Sequence, residues 1–391
     1  MSTHIADGIV IAGGGLAGQR CAETLRRSGY EQPIRMLCAE VHRPYDRPPL
    51  SKEMLTGEHP ADELPFRAPE WYEQHDIDLL LGVSATGLAP AERRVFLSDG
   101  SSVRYDKLLI ATGSRPRMLP LLESYDNVSV LRTVDDSVRL AQQLAARPAL
   151  AVIGAGFIGQ EVAATARSLG AEVVMIEAAP SPLHAILGAA MGDWFTEFHR
   201  ARGVDVVGNA TVTGVSANGA VRAVRLSNER VLPVDHVVVG IGVVADVDWL
   251  SGSGLQHERG IPVDPHGRTE IDDVFAAGDA AATFDPMVGS HVPGSHWEAA
   301  GRQGARAARA MLGLEPGSVP RTSFWTDQYG IRIQYLGHAR LADSVTIDSE
   351  PGELGFTATF TRAGRAVAAL LVDRPRALPA ARKLIENGEQ G

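Results

Sequence analysis

The sequence predicts an α/β protein with two Rossmann-like domains, followed by a smaller C-terminal α+β domain. Two glycine-rich fingerprints, 13–18 and 154–159, each follow a short apolar run and open a helix-compatible stretch. A second apolar run comes after each helix and ends at an acidic residue, Glu40 or Glu177. Residues 320–391 contain runs that alternate between polar and apolar side chains, which is typical of half-buried antiparallel strands.

The first fingerprint has the spacing of a loop that holds a dinucleotide pyrophosphate. Gly13 allows a tight turn, Gly15 lets the backbone approach the phosphates, and Gly18 lets the helix pack close to the strand. The helix, expected to end near Gly29, offers free N–H groups and a positive dipole end to the phosphates. Glu40 lies 27 residues after Gly13, where it can accept hydrogen bonds from a ribose hydroxyl.

The second fingerprint repeats this arrangement and indicates NAD rather than NADP. Its acid, Glu177, lies 23 residues after Gly154, and no arginine occurs between Glu177 and Arg200. A carboxylate accepts a 2′-hydroxyl and repels a 2′-phosphate, which would need a nearby cation. Either fingerprint alone could be only a glycine turn in an α/β core. Because two of them occur in the strand–helix–strand context of a dinucleotide site, the sequence predicts two bound dinucleotides.

The charge of the chain limits its partners. It carries 37 basic and 47 acidic residues, for a net charge of −10. This balance argues against general nucleic-acid binding and against anionic membranes, which both attract basic surfaces. No apolar run reaches the length of a spanning helix, and the N-terminus lacks the basic head and cleavage site of a signal peptide. We expect a cytoplasmic protein with no nucleic-acid or membrane partner.

The chain contains two cysteines, Cys21 and Cys38, in the first helix and the second strand. Their positions predict buried, reduced thiols that pack as small apolar side chains. No Cys-x-x-Cys or Cys-x4-Cys pair is available for dithiol exchange, and no set of four cysteines for an iron–sulfur cluster. Any such cluster must sit on another protein, and no metal site is predicted.

The order of the motifs predicts a first domain interrupted by a second. A buried strand at 274–279 ends in an acid and returns the chain to the first sheet. We therefore expect a first nucleotide-binding domain of residues 1–113 and 246–319, a second of 114–245, and a C-terminal domain of 320–391. Two strands and a closing helix are predicted in the last of these.

Several segments outside the glycine loops resemble a known family. They are Arg43-Pro44-Tyr45-Asp46-Arg47-Pro48-Pro49-Leu50-Ser51-Lys52, Ala111-Thr112-Gly113, Leu131-Arg132-Thr133, Ala277-Gly278-Asp279 and Phe324-Trp325-Thr326-Asp327-Gln328. Over essentially its whole length the chain is similar to the putidaredoxin-reductase-like, FAD-dependent ferredoxin reductases. These serve bacterial P450 and ring-hydroxylating dioxygenase systems and are relatives of apoptosis-inducing factor. The resemblance implies a glutathione-reductase-like architecture.

The resemblance implies that the first loop binds FAD non-covalently and the second binds NADH. It places Lys52 at the flavin, Ala85 at the adenine and Asp279 at the ribityl chain. The residues implied for FAD are Gly13, Gly15, Ala17, Gly18, Glu40, Arg47, Lys52, Ala85, Ala111, Thr112, Gly113, Arg132, Asp279, Trp297, Ala300 and Trp325. Those implied for NADH are Gly154, Gly156, Phe157, Ile158, Gly159, Glu161, Glu177, Gly240, Ile241 and Gly242.

Lys52, Glu161 and Trp297 are the implied catalytic residues. The resemblance suggests that Glu161 pairs with Lys52 in a buried ion pair; alternatively, Glu161 is only a favourable charge in the first turns of its helix. Relatives often carry Trp or Val two residues after the glutamate that matches Glu298, where this chain has Ala300; here Trp297 precedes the glutamate instead. Either Trp297 or Trp325 could cover the flavin ring, and either could be a core aromatic residue.

The activity implied is electron transfer from NADH through FAD to a separate [2Fe–2S] ferredoxin, by a monomer or homodimer. Arg302, Arg306 and Arg309 recur at helical spacing and form a candidate basic docking face or an ordinary solvated one. The alternatives are an NADH oxidase, a reductase of quinones or other small molecules, and an NADH-sensing flavoprotein. A disulfide reductase is disfavoured because residues 41–55 contain no cysteine.

Overall fold

The computed structural model describes the chain in two compact units. The structure describes residues 7–285, 287–294, 296–315, 317, 322–349 and 354–389. For residues 387–389 it describes the backbone only. The first unit is drawn from 1–46, 64–115 and 244–320, and the second from 47–63, 116–243 and 321–391. Among the described residues, no helix is long and apolar enough to cross a membrane.

The helices and strands follow one another in three stretches of the chain. The first contains β1 (Ile9–Ala12), α1 (Leu16–Arg27), β2 (Ile34–Cys38), α2 (Glu53–Thr56), α3 (Pro69–Gln74), β3 (Ile77–Leu81), β4 (Ala85–Ala89), β5 (Arg94–Leu97), β6 (Ser102–Arg104), β7 (Lys107–Ile110), β8 (Ser114–Pro116) and β9 (Val128–Ser129). The second contains α4 (Val134–Leu144), β10 (Ala149–Ile153), α5 (Phe157–Ser168), β11 (Glu172–Ile176), α6 (His184–Arg200), β12 (Asp205–Val207), β13 (Val212–Asn218), β14 (Ala220–Leu226), β15 (Val231–Pro233), β16 (His236–Val239) and β17 (Val243–Ala245). The third contains β18 (Ile261–Val263), β19 (Val274–Ala276), β20 (Ala281–Asp285), β21 (Ser290–Pro293), α7 (Trp297–Met311), β22 (Ser323–Gln328), β23 (Ile331–Gly337), β24 (Ser344–Ile347), β25 (Phe356–Arg362), β26 (Arg365–Val372) and α8 (Leu378–Glu389).

The first unit is built on a parallel sheet in the order β19-β7-β1-β2-β3. All four residues of β1 are buried, as expected for a parallel strand covered on both faces. Helices α1 and α7 cover one face, and the antiparallel sheet β4-β5-β6 contributes apolar side chains to the other. The predicted return of the chain through the strand at 274–279 is confirmed, because β19 pairs with β7.

The second unit repeats the parallel arrangement in the order β12-β11-β10-β16-β9. It also contains an antiparallel sheet, β22-β23-β26-β25-β24, against which α8 packs. The two strands and the closing helix predicted for the C-terminal domain are β25, β26 and α8. The predicted α/β class is confirmed.

Residues 47–63, which the order of motifs assigned to the first nucleotide domain, pack in the second unit. Leu55 is buried in that unit's core together with Leu140 and Leu144 of α4. The Ser137 hydroxyl also donates a 2.6 Å hydrogen bond to the carbonyl of Leu50. Burial of Leu55 removes apolar surface from water, and this tertiary contact could not be inferred from motif order.

The packing of α7 on α1 predicts opposite effects for two neighbouring glycines. A Cβ at Gly304 would lie 2.0 Å from the carbonyl oxygen of Ala17, whereas a Cβ at Gly301 would meet only the side chains of Leu16 and Arg20, at 3.3 Å or more. We expect Gly304→Ala to lower the stability of the first unit by about 1–3 kcal/mol, since backbone must move. Gly301→Ala should be neutral or gain up to about 1 kcal/mol from helix propensity. Thermal unfolding followed by circular dichroism measures both, and equal shifts would contradict the prediction.

Candidate dinucleotide-binding and redox site

The first fingerprint forms a turn that only glycine permits at two of its positions. Gly13 has φ +123°, and a Cβ there would lie 2.0 Å from the carbonyl oxygen of Ala111. A Cβ on Gly18 would lie 2.1 Å from the carbonyl oxygen of Gly13. Gly15 differs, because a Cβ there would meet no atom within 4 Å. The loop is therefore closed towards the protein and open at Gly15, as a pyrophosphate cradle requires.

The second fingerprint has the same geometry in the second unit. A Cβ on Gly154 (φ +100°) would lie 2.4 Å from the carbonyl oxygen of Gly240, and one on Gly159 would lie 2.0 Å from that of Gly154. A Cβ on Gly156 would meet nothing within 4 Å. We call the two loops, 13–18 and 154–159, the first and second cradles.

The two acids lie where the sequence predicts, each just after the second strand of its sheet. Glu40 accepts a 2.6 Å hydrogen bond from the Tyr45 hydroxyl. Glu177 accepts from the backbone N–H of Ala155, at 2.7 Å, and from that of Ala179, at 2.8 Å. The second cradle therefore holds its own acid in place, because Ala155 is part of that loop.

Further predicted residues of the first unit lie near its cradle. A Cβ on Gly278 would lie 3.2 Å from Cβ of Ala17 and 3.7 Å from that of Ala300, so the residue before Asp279 packs beside α1 and α7. Asp279 itself accepts a 2.6 Å hydrogen bond from the Ser114 hydroxyl.

The other side chains and loops implied for FAD in the first unit make local contacts. The Trp297 indole N–H donates to Asp46 at 2.6 Å. The Thr112 hydroxyl donates to the carbonyl of Asp246 at 2.6 Å, and Gly113 follows it with φ +77°. Ala85 begins β4 and is half-buried.

The predicted ion pair between Lys52 and Glu161 is confirmed in the second unit. The Lys52 ammonium lies 2.8 Å from Oε2 of Glu161, and the two side chains are 13% and 6% exposed. Glu161 also accepts hydrogen bonds from the Ser51 hydroxyl at 2.5 Å and the Thr326 hydroxyl at 2.8 Å. A buried carboxylate is tolerable only with such compensation. Sequence reasoning missed Ser51 and Thr326 as partners, although both lie in motifs that carried the resemblance.

Two more predicted residues belong to the second unit. The Arg47 guanidinium donates a hydrogen bond to the carbonyl of Arg132. Trp325 is half-buried on β22 between Phe324 and Thr326, which face α5 through contacts with Phe157 and Glu161. Successive side chains of a strand point to opposite faces, so Trp325 points away from Glu161.

The prediction that Arg302, Arg306 and Arg309 form one solvent-facing basic surface on α7 is wrong for Arg306. Arg306 is only 7% exposed, and its guanidinium donates to the carbonyl of Pro265. Burial lowers the pKa of Arg306, and the charge of Asp264 opposes that shift. Helical spacing identified residues on one side of the helix, but that side meets a loop at this point. Arg302 pairs with Glu298.

Both cysteines are buried, as predicted. Burial raises the pKa of Cys38 to about 12, with a smaller contribution from Glu40, and raises that of Cys21 further. Since the thiolate is the reactive form, neither thiol is suited to redox exchange.

Two cradles, each with an acid after the next strand, define an oxidoreductase that binds two dinucleotides. The chain belongs to the pyridine nucleotide-disulphide oxidoreductase family, whose model matches residues 7–304; a reductase C-terminal model matches residues 323–390. The predicted cofactor pair of FAD and NAD(H) is confirmed by this membership.

The similar proteins share nearly the full length of the chain. One is the ferredoxin–NAD(+) reductase component of the anthranilate 1,2-dioxygenase system of Burkholderia cepacia, 36% identical over 385 residues, with 98% of this chain and 95% of the relative covered. Putidaredoxin reductase of Pseudomonas putida is 33% identical over 376 residues, covering 94% and 89%. The crystal structure of the covalent putidaredoxin reductase–putidaredoxin complex matches with a TM-score of 0.93 at 32% identity, covering 97% and 93%. The resemblance inferred from the motifs is confirmed.

The burial of Lys52 and Glu161 predicts strong energetic coupling. Lys52→Met or Glu161→Gln alone leaves a partner without its counter-charge, so the double variant should lose clearly less stability than the sum of the two. We expect a coupling energy above about 2 kcal/mol from denaturant unfolding. The exposed pair Arg200 and Glu197, 50% and 72% exposed, is the matched control and should couple by less than about 1 kcal/mol. Coupling no larger than that of the control would refute the prediction.

Proposed function

We propose that this protein transfers electrons from NADH through FAD to a separate [2Fe–2S] ferredoxin, which feeds a P450 or a ring-hydroxylating dioxygenase. The observation that carries the proposal is the similarity to ferredoxin–NAD(+) reductase components over 98% of the chain, through both cradles and the C-terminal sheet. The iron–sulfur cluster must belong to a separate ferredoxin, because the chain has only two cysteines and a [2Fe–2S] cluster of this kind needs four.

The two cradles fit the two cofactors. The first cradle, with Glu40 and Asp279 in the same unit, would hold FAD, and the second, with Glu177, would hold NADH. When bound, FAD supplies the capacity to accept a hydride and to release its two electrons singly. The open faces at Gly15 and Gly156 leave room for a pyrophosphate, where any larger residue would project a Cβ.

The contribution of the chain itself is positioning and charge. Ser51, Lys52 and Thr326 keep the Glu161 carboxylate in one orientation on α5, the helix that the second cradle opens. This orientation, we propose, sets the place of the nicotinamide. Helix α7 begins after His296, and its positive dipole end would favour the anionic reduced cofactor. Burial lowers the pKa of His296, and the charge of Asp279 opposes that shift.

The location and the oligomeric state of the protein are also part of what we propose. A cytoplasmic location agrees with two buried reduced cysteines. A monomer or a homodimer would serve equally, since both cradles and the Lys52–Glu161 pair come from one chain.

Anaerobic stopped-flow absorbance tests the proposal. The yellow protein should bleach rapidly with NADH, more slowly with NADPH, and then reduce an added [2Fe–2S] ferredoxin. Fast reoxidation by oxygen or a quinone, with every ferredoxin ignored, would instead identify an oxidase or small-molecule reductase. A slowly decaying reduced state together with a change in oligomeric state would identify an NADH sensor.

Because Glu177 is bound to the second cradle, we expect its negative charge to set the preference for NADH over NADPH. In Glu177→Gln, one amide oxygen can still accept from Ala155 or Ala179, but the charge that repels a 2′-phosphate is gone. We expect the ratio of kcat/KM for NADH to that for NADPH to fall about tenfold, the size of a screened charge–charge term. Glu172→Gln, at the exposed far end of β11, is the control and should leave the ratio unchanged. An unchanged ratio in Glu177→Gln would exclude this residue as the determinant.

A further inference from the structure

A chain of three hydrogen bonds in the second unit, two of them buried and one partly buried, leads to the second cradle. The Tyr329 hydroxyl lies 2.9 Å from Nδ1 of His199, and Nε2 of His199 lies 3.2 Å from Oε1 of Gln160. Nε2 of Gln160 lies 3.0 Å from the carbonyl oxygen of Ala155, in the second cradle. His199 and Gln160 are fully buried. We call Tyr329, His199 and Gln160 the relay.

The chemistry of the groups sets the direction of every bond in the relay. The amide nitrogen of Gln160 donates to a carbonyl, so its oxygen must accept, and Nε2 of His199 must carry the proton. Nδ1 of His199 then accepts from Tyr329. Burial lowers the pKa of His199 to about 4; its interaction with Gln328 opposes this shift, and the charge of Arg202 adds to it. Burial raises the pKa of Tyr329, so the hydroxyl retains the proton that it donates.

The end of the relay controls where the cradle's N–H groups point. In a planar trans peptide, the carbonyl of Ala155 and the N–H of Gly156 point in opposite directions. Gln160 holds that carbonyl on the buried side, so the N–H of Gly156 points away from it. Glu177 holds the preceding peptide through the N–H of Ala155. Two successive peptide groups of the second cradle are thus oriented by side chains.

The first cradle shows that this arrangement does not follow from the fingerprint. Gln19 occupies the position after Gly18 that Gln160 occupies after Gly159. Its amide nitrogen donates to Glu23 at 3.1 Å, and its oxygen accepts from the Tyr72 hydroxyl at 2.7 Å. The same residue type therefore stabilises α1 in one unit and the loop in the other.

The backbone at Tyr329 supports a specific role for its side chain. Tyr329 and Gly330 have φ values of +54° and +77° and form the two-residue turn between β22 and β23. Such turns favour Asn or Gly at the first position, and a bulky residue there is uncommon. The Arg202 guanidinium stacks 4.9 Å from the Tyr329 ring centroid and 4.1 Å from that of Phe198, which keeps the ring in place.

We propose that Tyr329, His199 and Gln160 are positioning residues for the pyrophosphate of NAD(H), holding the second cradle in its binding conformation from the turn of the C-terminal sheet. This inference rests on the proposed binding of NADH to the second cradle. It adds that the C-terminal sheet contributes to coenzyme affinity without touching the coenzyme.

Titration calorimetry of the oxidised holoenzyme with NAD⁺ tests the relay. His199→Asn keeps an acceptor for Tyr329 but removes the donor to Gln160, and should raise the Kd for NAD⁺ about tenfold, as expected for one lost hydrogen bond. His199→Gln can present an amide N–H near the position of Nε2 and should restore most of the affinity. His236→Asn is the matched control, because His236 is also buried, bonds to Ser129, and begins β16 at the end remote from the cradle.

The outcomes separate the relay from a general effect on folding. A higher Kd in His199→Asn than in His236→Asn, with rescue by His199→Gln, supports the relay. Equal Kd values in His199→Asn and His236→Asn, or no rescue, overturn it. If His199→Asn does not fold, Tyr329→Phe removes only the hydroxyl and should still raise Kd two- to fivefold; no change overturns the relay. Failure of the wild-type protein to bind NAD⁺ overturns the proposed function and the relay with it.

Discussion

The structure depends on the approach of backbone to backbone at its two glycine cradles. At Gly13, Gly18, Gly154 and Gly159, a carbonyl oxygen lies only 2.0–2.4 Å from the position that a Cβ would occupy. No side chain fits in that space, so the strand, the turn and the helix can meet only through glycine. The same contacts leave Gly15 and Gly156 facing open space. The steric condition that closes the fold is thus also the one that shapes the two sites.

The second unit combines this backbone constraint with two buried polar side chains of α5 that are held by hydrogen bonds. Adjacent residues of α5, Gln160 and Glu161, are both held from the C-terminal sheet, one through His199 and Tyr329 and the other through Thr326. An unpaired carboxylate or amide at that depth would cost several kcal/mol. The need to satisfy these groups ties α5, the segment 47–63 and β22 into one arrangement.

In an oxidoreductase that binds two dinucleotides, the side chains contribute mainly position and charge. Cofactors carry hydrides and electrons, while the chain aligns them and excludes side reactions. The cysteines are consistent with this division, since burial keeps both as neutral thiols. The charged groups Glu177, Glu161 and Lys52 are each held in place by hydrogen bonds or an ion pair.

The amino-acid sequence by itself determined the two cradles, the acids that follow them, the strands that flank them and the family. These features are local: glycine spacing, an apolar run and an acid at a strand end act within about 30 residues, where chain geometry leaves few alternatives. The pairing of Lys52 with Glu161 was also predicted, but through the resemblance rather than through spacing. Only the tertiary structure decided the partners of Glu161, the burial of Arg306 and the packing of 47–63 with the second unit. It also gave two matching glutamines, Gln19 and Gln160, different partners. These outcomes depend on which distant polar groups meet when apolar faces are buried, and no local pattern encodes that choice.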